Sequence, residues 1–376
     1  MLKYKMLYLS IKTVSACIVC ASECHDVISS VIDEKTNNII FETSLCQKCG
    51  STFRTRQPDY CHQISHSTFR ELFDYDWEVM RVYRYAKYVS TLESILKNQG
   101  VGCEFILDIG SNTGVGPSYL EDLGYSVFGV EQDADRAALS HHFMKNPERI
   151  YSGNFEDYIP KQKFDAIFLI HVLEHLHEPR EMLAKIHTLL SDRGIFYVEV
   201  PDLMRAISYV DSFYFSHTVN FNKNSLEVLL NESGFTVVKD ASSIFVNGDG
   251  TSIGFYCKKA LKKITAHKSI QFSAVACKYQ YKKIYCPMVF EISANRRVDE
   301  LQKATFHFDD KKQRLVVTSL NSSRIARLQI NKIYFKIGLL FVRGAIKLVS
   351  RFRYSAFLKS MLYNYNRALN SEPTRE

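Results

Sequence analysis

The feature that most constrains this chain is a rhythm of apolar runs and helical stretches beginning at Glu104. Glu104 to Ile109 reads as a buried strand carrying Asp108 at its end. It enters Gly110-Ser111-Asn112-Thr113-Gly114 and then a helix with Pro117 near its start. A strand, a glycine turn and a helix let backbone approach a ligand closely, because glycine has no Cβ and tolerates left-handed dihedrals. Ser126 to Val130 reads as a second strand and closes on Glu131. An acidic residue about 20 positions past such a turn is suited to clamp ribose hydroxyls. Gly110, Gly114 and Gly116 do not supply the G-x-G-x-x-G spacing of a dinucleotide site, which points to a different adenosine ligand.

The alternation continues through a short strand at Arg149 to Ser152, an apolar strand at Phe164 to Ile170, a helix at Glu178 to Leu190 and a strand at Gly194 to Val200. A helix is expected around Trp77 to Lys97, ahead of the first strand, and a closing strand at Ser252 to Lys258. Strands interleaved with helices predict an α/β fold with a doubly wound parallel sheet. Ligands on such sheets sit at the carboxyl ends of the strands, where Asp108, Glu131, Asn154 and His171 fall.

Leu107-Asp-Ile-Gly-Ser-Asn-Thr-Gly114 resembles motif I of the class I S-adenosylmethionine-dependent methyltransferases. Phe164 to Pro179 and Ser191 to Pro201 are similar to later segments of the same family, so the resemblance covers about Val101 to Lys258. It implies S-adenosylmethionine as cofactor. Asp108, Gly110, Ser111, Asn112 and Gly114 would shape the site for its methionine and ribose parts, and Glu131 would bind the ribose hydroxyls. Asn154 and Phe155 would flank adenine, and His171 would line the methyl-donor end. Phe155 also reads as plain core and Gly116 as helix packing. The family often has glycine where Asn112 stands.

The stretch Tyr214-Phe-Ser-His217-Thr-Val-Asn-Phe221, followed by a helix that stops at Gly234, is similar to the acceptor loop of bacterial enzymes that methylate sugars and polysaccharides. His217 is the candidate general base, since a histidine near neutral pH can take a proton from an attacking hydroxyl; Tyr214 is the second candidate catalytic residue. Sugar C-methyltransferases carry a YHEHxxYF pattern here, and Phe215 and Ser216 replace its His-Glu pair, which favours O-methylation of a small molecule or glycan over C-methylation. A catalytically inactive binding protein on the same fold is the other alternative. A nucleic-acid methyltransferase is disfavoured, because no N/D-P-P-Y/F tetrapeptide follows the fourth strand. His171-x-x-Glu174-His175 also spells a zinc-protease pattern, but it follows a Rossmann-type strand. On a helix these three residues would share a face, which leaves a divalent-ion site near Glu174 and His175 open.

Upstream, Cys17 with Cys20 and Cys46 with Cys49 form two C-x2-C pairs, the spacing that presents two thiolates each to one tetrahedral zinc. Asn37-Asn38 reads as a turn leading into a strand, as in a zinc ribbon. Disulfides are the rival, disfavoured because nothing else in the sequence implies secretion. Cys24, His25, Cys61 and His62 are spare ligands or bystanders. The expected division is a zinc-ribbon-like module at 1–70, a methyltransferase domain at 71–260 and a basic extension at 261–376.

That extension holds 23 Lys and Arg against 7 Asp and Glu, or +16, leaving −8 for the rest of a chain whose net charge is +8. Such asymmetry suits an anionic partner. Asn331 to Ala368 reads as one or two amphipathic basic helices, which either touch a membrane surface peripherally or pack on the domain or another subunit. Lys12 splits the apolar stretch at the N-terminus, and no apolar run reaches the roughly 18 residues that span a bilayer, so a cytoplasmic location is the expectation.

Overall fold

The computed structural model describes residues 11–33, 39–58, 74–205, 217–246, 250–260, 288–292, 305–309 and 314–319. Two sheets organise them. The first contains strands β1 (Ile11–Thr13), β2 (His25–Asp33), β3 (Ile39–Cys46) and β4 (Thr52–Pro58), paired antiparallel in the order β1-β4-β3-β2. The helix α1 (Tyr75–Asn98) follows.

The second sheet is built from β5 (Phe105–Ile109), β6 (Ser126–Glu131), β7 (Ile150–Ser152), β8 (Phe164–Ile170) and β9 (Leu190–Pro201), all parallel. The helices α2 (Val115–Asp122), α3 (Ala134–Phe143) and α4 (Pro179–Leu189) connect them. The spatial order β9-β8-β5-β6-β7 places the reversal of winding between β5 and β8, where open α/β sheets bind ligands. The central strands are buried on both faces, which is why their sequences run apolar without alternation.

The chain then crosses back through β10 (Val219–Asn220), α5 (Lys223–Glu232), β11 (Phe235–Asp240), β12 (Ser243–Val246) and β13 (Gly250–Lys259). β13 is antiparallel to β9, and β11 is antiparallel to β13 at the sheet edge. β11 escaped the sequence reading because its exposed second half, Val238 to Asp240, ends in the polar Lys239 and Asp240. β9 starts at Leu190, earlier than the expected Gly194, while α1 runs slightly past both expected ends.

One face of the second sheet is covered by α1. Val82, Tyr85, Val89, Leu92 and Leu96 recur at helical spacing, are all buried, and join a core with Ile106, Phe168 and Tyr197. The opposite face packs Leu183 and Ile186 of α4 and Leu226, Leu229 and Leu230 of α5. Cys17, Cys20, Cys46, Cys49 and Phe53 join that same core.

Three strands from the region beyond 260, β14 (Met288–Ile292), β15 (Thr305–Asp309) and β16 (Arg314–Ser319), extend the first sheet, with β14 parallel to β2. The turn expected at Asn37-Asn38, the ligands Cys61 and His62, Tyr214 and the basic helices expected at 331–368 lie outside the described residues. No described helix is long and apolar enough to cross a membrane.

Candidate functional site

Gly110 and Gly114 both have φ of +79°, so the turn after β5 needs the left-handed region at its two glycines. A Cβ at Gly110 would lie 2.5 Å from Val172 Cγ2, and one at Gly114 would lie 2.8 Å from the Ser140 Cα. Asn112 is left-handed too, with φ of +53°. Asparagine tolerates that conformation better than other side-chain-bearing residues, which accounts for its standing at this position. Its N–H donates to Glu131 Oε2 at 2.8 Å, and its Oδ1 accepts from Arg136 Nη1 at 2.9 Å.

Asp108 is buried, and its Oδ2 accepts from the Tyr85 hydroxyl at 2.6 Å. Its Oδ1 has no hydrogen-bond partner, and neither do the buried Ser111 Oγ and Thr113 Oγ1. Burial pushes the Asp108 carboxyl up to about 6, opposed by the Tyr85 hydrogen bond and the charge of Arg81. Glu131 ends β6 and also accepts from the Asp133 N–H at 3.0 Å; burial raises its pKa against these two amide donors. Asn154 opens the turn Phe155–Asp157 without a side-chain cap, and the buried Phe155 ring lies 4.9 Å from Lys185 Nζ.

His171 follows β8 with φ of +54° and does not belong to a helix; only Leu173–His175 forms a single 3-10 turn. The expected shared helical face is therefore absent. His171 Nδ1 lies 3.3 Å from Glu174 Oε1 and its Nε2 3.2 Å from Glu199 Oε1. Burial disfavours the charged ring, but the two carboxylates prevail and raise its pKa. Glu199 also takes Tyr88 Oη at 2.7 Å, Arg84 and the Tyr197 hydroxyl, a network that holds it well below the usual carboxylate range against its burial. Sequence reading missed Arg84, Tyr85, Tyr88 and Glu199. The available signals were a lone acid inside the apolar run of β9 and two tyrosines on the buried stripe of α1.

His217 comes to the same place from the other side. The Thr218 N–H donates to the Glu174 carbonyl at 2.9 Å, and Thr218 Oγ1 donates to the Leu176 carbonyl at 2.6 Å. The rings of His175 and His217 stand edge to face with centroids 4.8 Å apart. Burial pushes His217 down to about 4, so its ring is neutral near pH 7.

The first sheet reaches this loop. β10 pairs with β4, the Arg54 N–H donates to the Thr218 carbonyl at 2.8 Å, and Asn222 Nδ2 donates to the Cys49 carbonyl at 3.1 Å. Cys17, Cys20, Cys46 and Cys49 are buried and unoxidised, with their sulfurs all within 4.8 Å of one another. Cys17 and Cys49 Sγ are 3.7 Å apart, and Cys20 and Cys46 Sγ 3.5 Å. Four thiolates around a tetrahedral zinc would stand about 3.8 Å apart. The two turns are near copies. Each second cysteine precedes a left-handed residue, Ala21 at φ +55° or Gly50 at φ +72°, whose N–H bonds back to the first cysteine's carbonyl. Cys24 is exposed and outside the cluster, and His25 Nε2 is 3.1 Å from the Ser15 carbonyl.

Residues 80–240, from α1 to the end of β11, match the family model described as a methyltransferase domain. This part of the chain, less than half of it, is similar to that family. Among solved structures, the chain is similar to the CcbJ methyltransferase from Streptomyces caelestis at 15% identity and a TM-score of 0.41, covering 54% of this chain and 100% of that one. It is similar to an S-adenosylmethionine-dependent methyltransferase from Clostridium acetobutylicum at 11% identity and a TM-score of 0.38, covering 51% and 94%. The magnesium protoporphyrin IX methyltransferase from Synechocystis, with bound S-adenosylmethionine, matches at 12% identity and a TM-score of 0.38, covering 50% and 85%. No curated protein matches the chain. Within the matched residues, the glycine turn and Glu131 lie beyond one side of the β5–β8 reversal. The His171–His175 loop touches that turn through Val172.

Proposed function

We propose that the protein transfers a methyl group from S-adenosylmethionine to a hydroxyl of a small molecule or sugar. The observation that carries the reading is the set of buried, unpartnered polar atoms, Asp108 Oδ1, Ser111 Oγ and Thr113 Oγ1, around a left-handed glycine turn beside Glu131. Buried polar atoms without partners are costly unless a ligand completes them. The methyltransferase-domain match supports the identity of that ligand. Asp108 and residues 110–114 would hold its methionine and ribose parts, Glu131 the ribose hydroxyls, and Asn154 with Phe155 the adenine. Bound there, S-adenosylmethionine supplies an electrophilic methyl on a sulfonium.

The acceptor would sit against Glu174, His175 and His217, with His217 taking the hydroxyl proton. Tyr214, three residues before His217, is kept as a second candidate. Positioning accounts for most of the acceleration in such an in-line displacement. The four cysteines would hold a structural zinc, since a closed thiolate set leaves no open position for chemistry. The test is isothermal titration of the zinc-replete protein with S-adenosylmethionine and S-adenosylhomocysteine. Micromolar binding that is lost in Asp108→Ala is the expected result; a folded wild-type protein that binds neither overturns the reading.

A further inference from the structure

We infer that Glu174, His175 and His217 form a second metal site, one that takes a divalent first-row transition cation such as zinc. The inference deepens the proposed methyl transfer and rests on it for the purpose of the site, though not for its existence. One ligand atom from each of the three residues lies within 4.8 Å of the other two. Glu174 is 1% exposed, and its Oε2 has no hydrogen-bond partner. A buried carboxylate oxygen left this way calls for a cation or a donor. His171 stands against Oε1 of the same carboxylate, at 3.3 Å, so it leaves Oε2 unanswered.

The three groups come from two chain segments locked together by the Thr218 hydrogen bonds to the Glu174 and Leu176 carbonyls. Their geometry is thus set by backbone and not by flexible side chains alone. A ligating imidazole commonly uses its second nitrogen on an oxygen that fixes ring and tautomer; His217 Nδ1 has Asn220 Oδ1 at 3.3 Å. Two imidazoles and one carboxylate are the donor set of zinc, iron, cobalt or nickel, and they suit magnesium or calcium poorly. Three protein ligands leave a coordination position open, unlike the closed four-cysteine site. A cation there would offer a Lewis acid to an acceptor oxygen and lower the pKa of its hydroxyl, whose proton would pass to solvent; His217 would then hold the ion in place of taking that proton itself.

The experiment compares the full chain with His175→Gln, both loaded with zinc, dialysed into metal-free buffer and analysed for metal by mass spectrometry. His175 is chosen because its side chain is 37% exposed, so its replacement spares the core. The expected result is one zinc equivalent fewer in the variant. After cobalt substitution, the missing component should show ligand-field bands without thiolate charge transfer. Equal zinc content in the two proteins overturns the site. Titration with S-adenosylhomocysteine runs in parallel. Binding with equal metal content leaves methyl transfer standing and removes the metal site; a lost equivalent without cofactor binding does the reverse.

Discussion

Asp108 shows how a proposed ligand site works against the stability of the fold around it. Its carboxyl sits near 6 in the folded chain against 3.8 for an ordinary aspartate, because burial disfavours the charge. The folded state thus holds this proton more tightly, and stability falls as pH rises from about 4 to 6. The penalty above that window is on the order of 3 kcal/mol. Asp108→Asn should therefore raise the melting temperature of the ligand-free protein at pH 7.5 and leave it unchanged at pH 4, as thermal denaturation at the two pH values would show. The same variant should lose cofactor binding. An equal shift at both pH values would mean that charge burial is not the cause. Gly114 makes the complementary case. Gly114→Ala combines a left-handed alanine with a clash against the Ser140 backbone, and should cost about 3 kcal/mol in denaturant unfolding. The motif residues were legible in the sequence because glycines and a strand-terminal acid have few alternative uses at that spacing. That Asn112 is a conformational stand-in for glycine was not, since dihedrals are invisible there.

Among the elements, α1 and α5 do more than cover the sheet. Helical spacing announces α1, yet only packing reveals that Tyr85 holds Asp108 and that Arg84 and Tyr88 hold Glu199. Gly116 on α2 leaves the space that the Tyr85 ring fills. Asn222 caps α5 by accepting from the Ser225 N–H at 2.9 Å within a capping box, and its amide reaches Cys49. Asn222→Ala should destabilise the protein by about 1–2 kcal/mol, the usual cost of a lost cap, measured by thermal unfolding. Asn222→Ser keeps the cap and loses the Cys49 contact, so a full loss in that variant would assign the effect to the cysteine turn. The H-x-x-E-H residues share no helical face, because they follow a strand end, where the chain turns through a left-handed His171 before any helix can start.

At the scale of the molecule, the first sheet and the His217 loop are mechanically joined. β4 carries β10, and both lie immediately beside the cysteine turns and His217. Stripping zinc from the proposed four-cysteine site should therefore impair the proposed acceptor side while sparing the glycine turn of the other. The expected outcome is an S-adenosylhomocysteine affinity within about threefold of the zinc-replete protein, together with loss of melting temperature and of turnover once an acceptor is known. A parallel collapse of S-adenosylhomocysteine binding would show that the two halves do not separate this way.

The sequence by itself determined the alternation of buried strands and amphipathic helices, the glycine turn with its acids, and the pairing of four cysteines. Each of these is a local pattern, set by side-chain period, glycine dihedrals or ligand spacing within a few residues. Tertiary structure alone decided what meets what: Glu199 with His171 and Arg84, Cys49 with Asn222, and Glu174 with His175 and His217. Apart from the neighbours Glu174 and His175, these partners lie on different segments of the chain. The packing of the helix α1 and of β8 against β9, and of the first sheet against residues 217–222, carries them together, and no periodicity in the sequence encodes those distances.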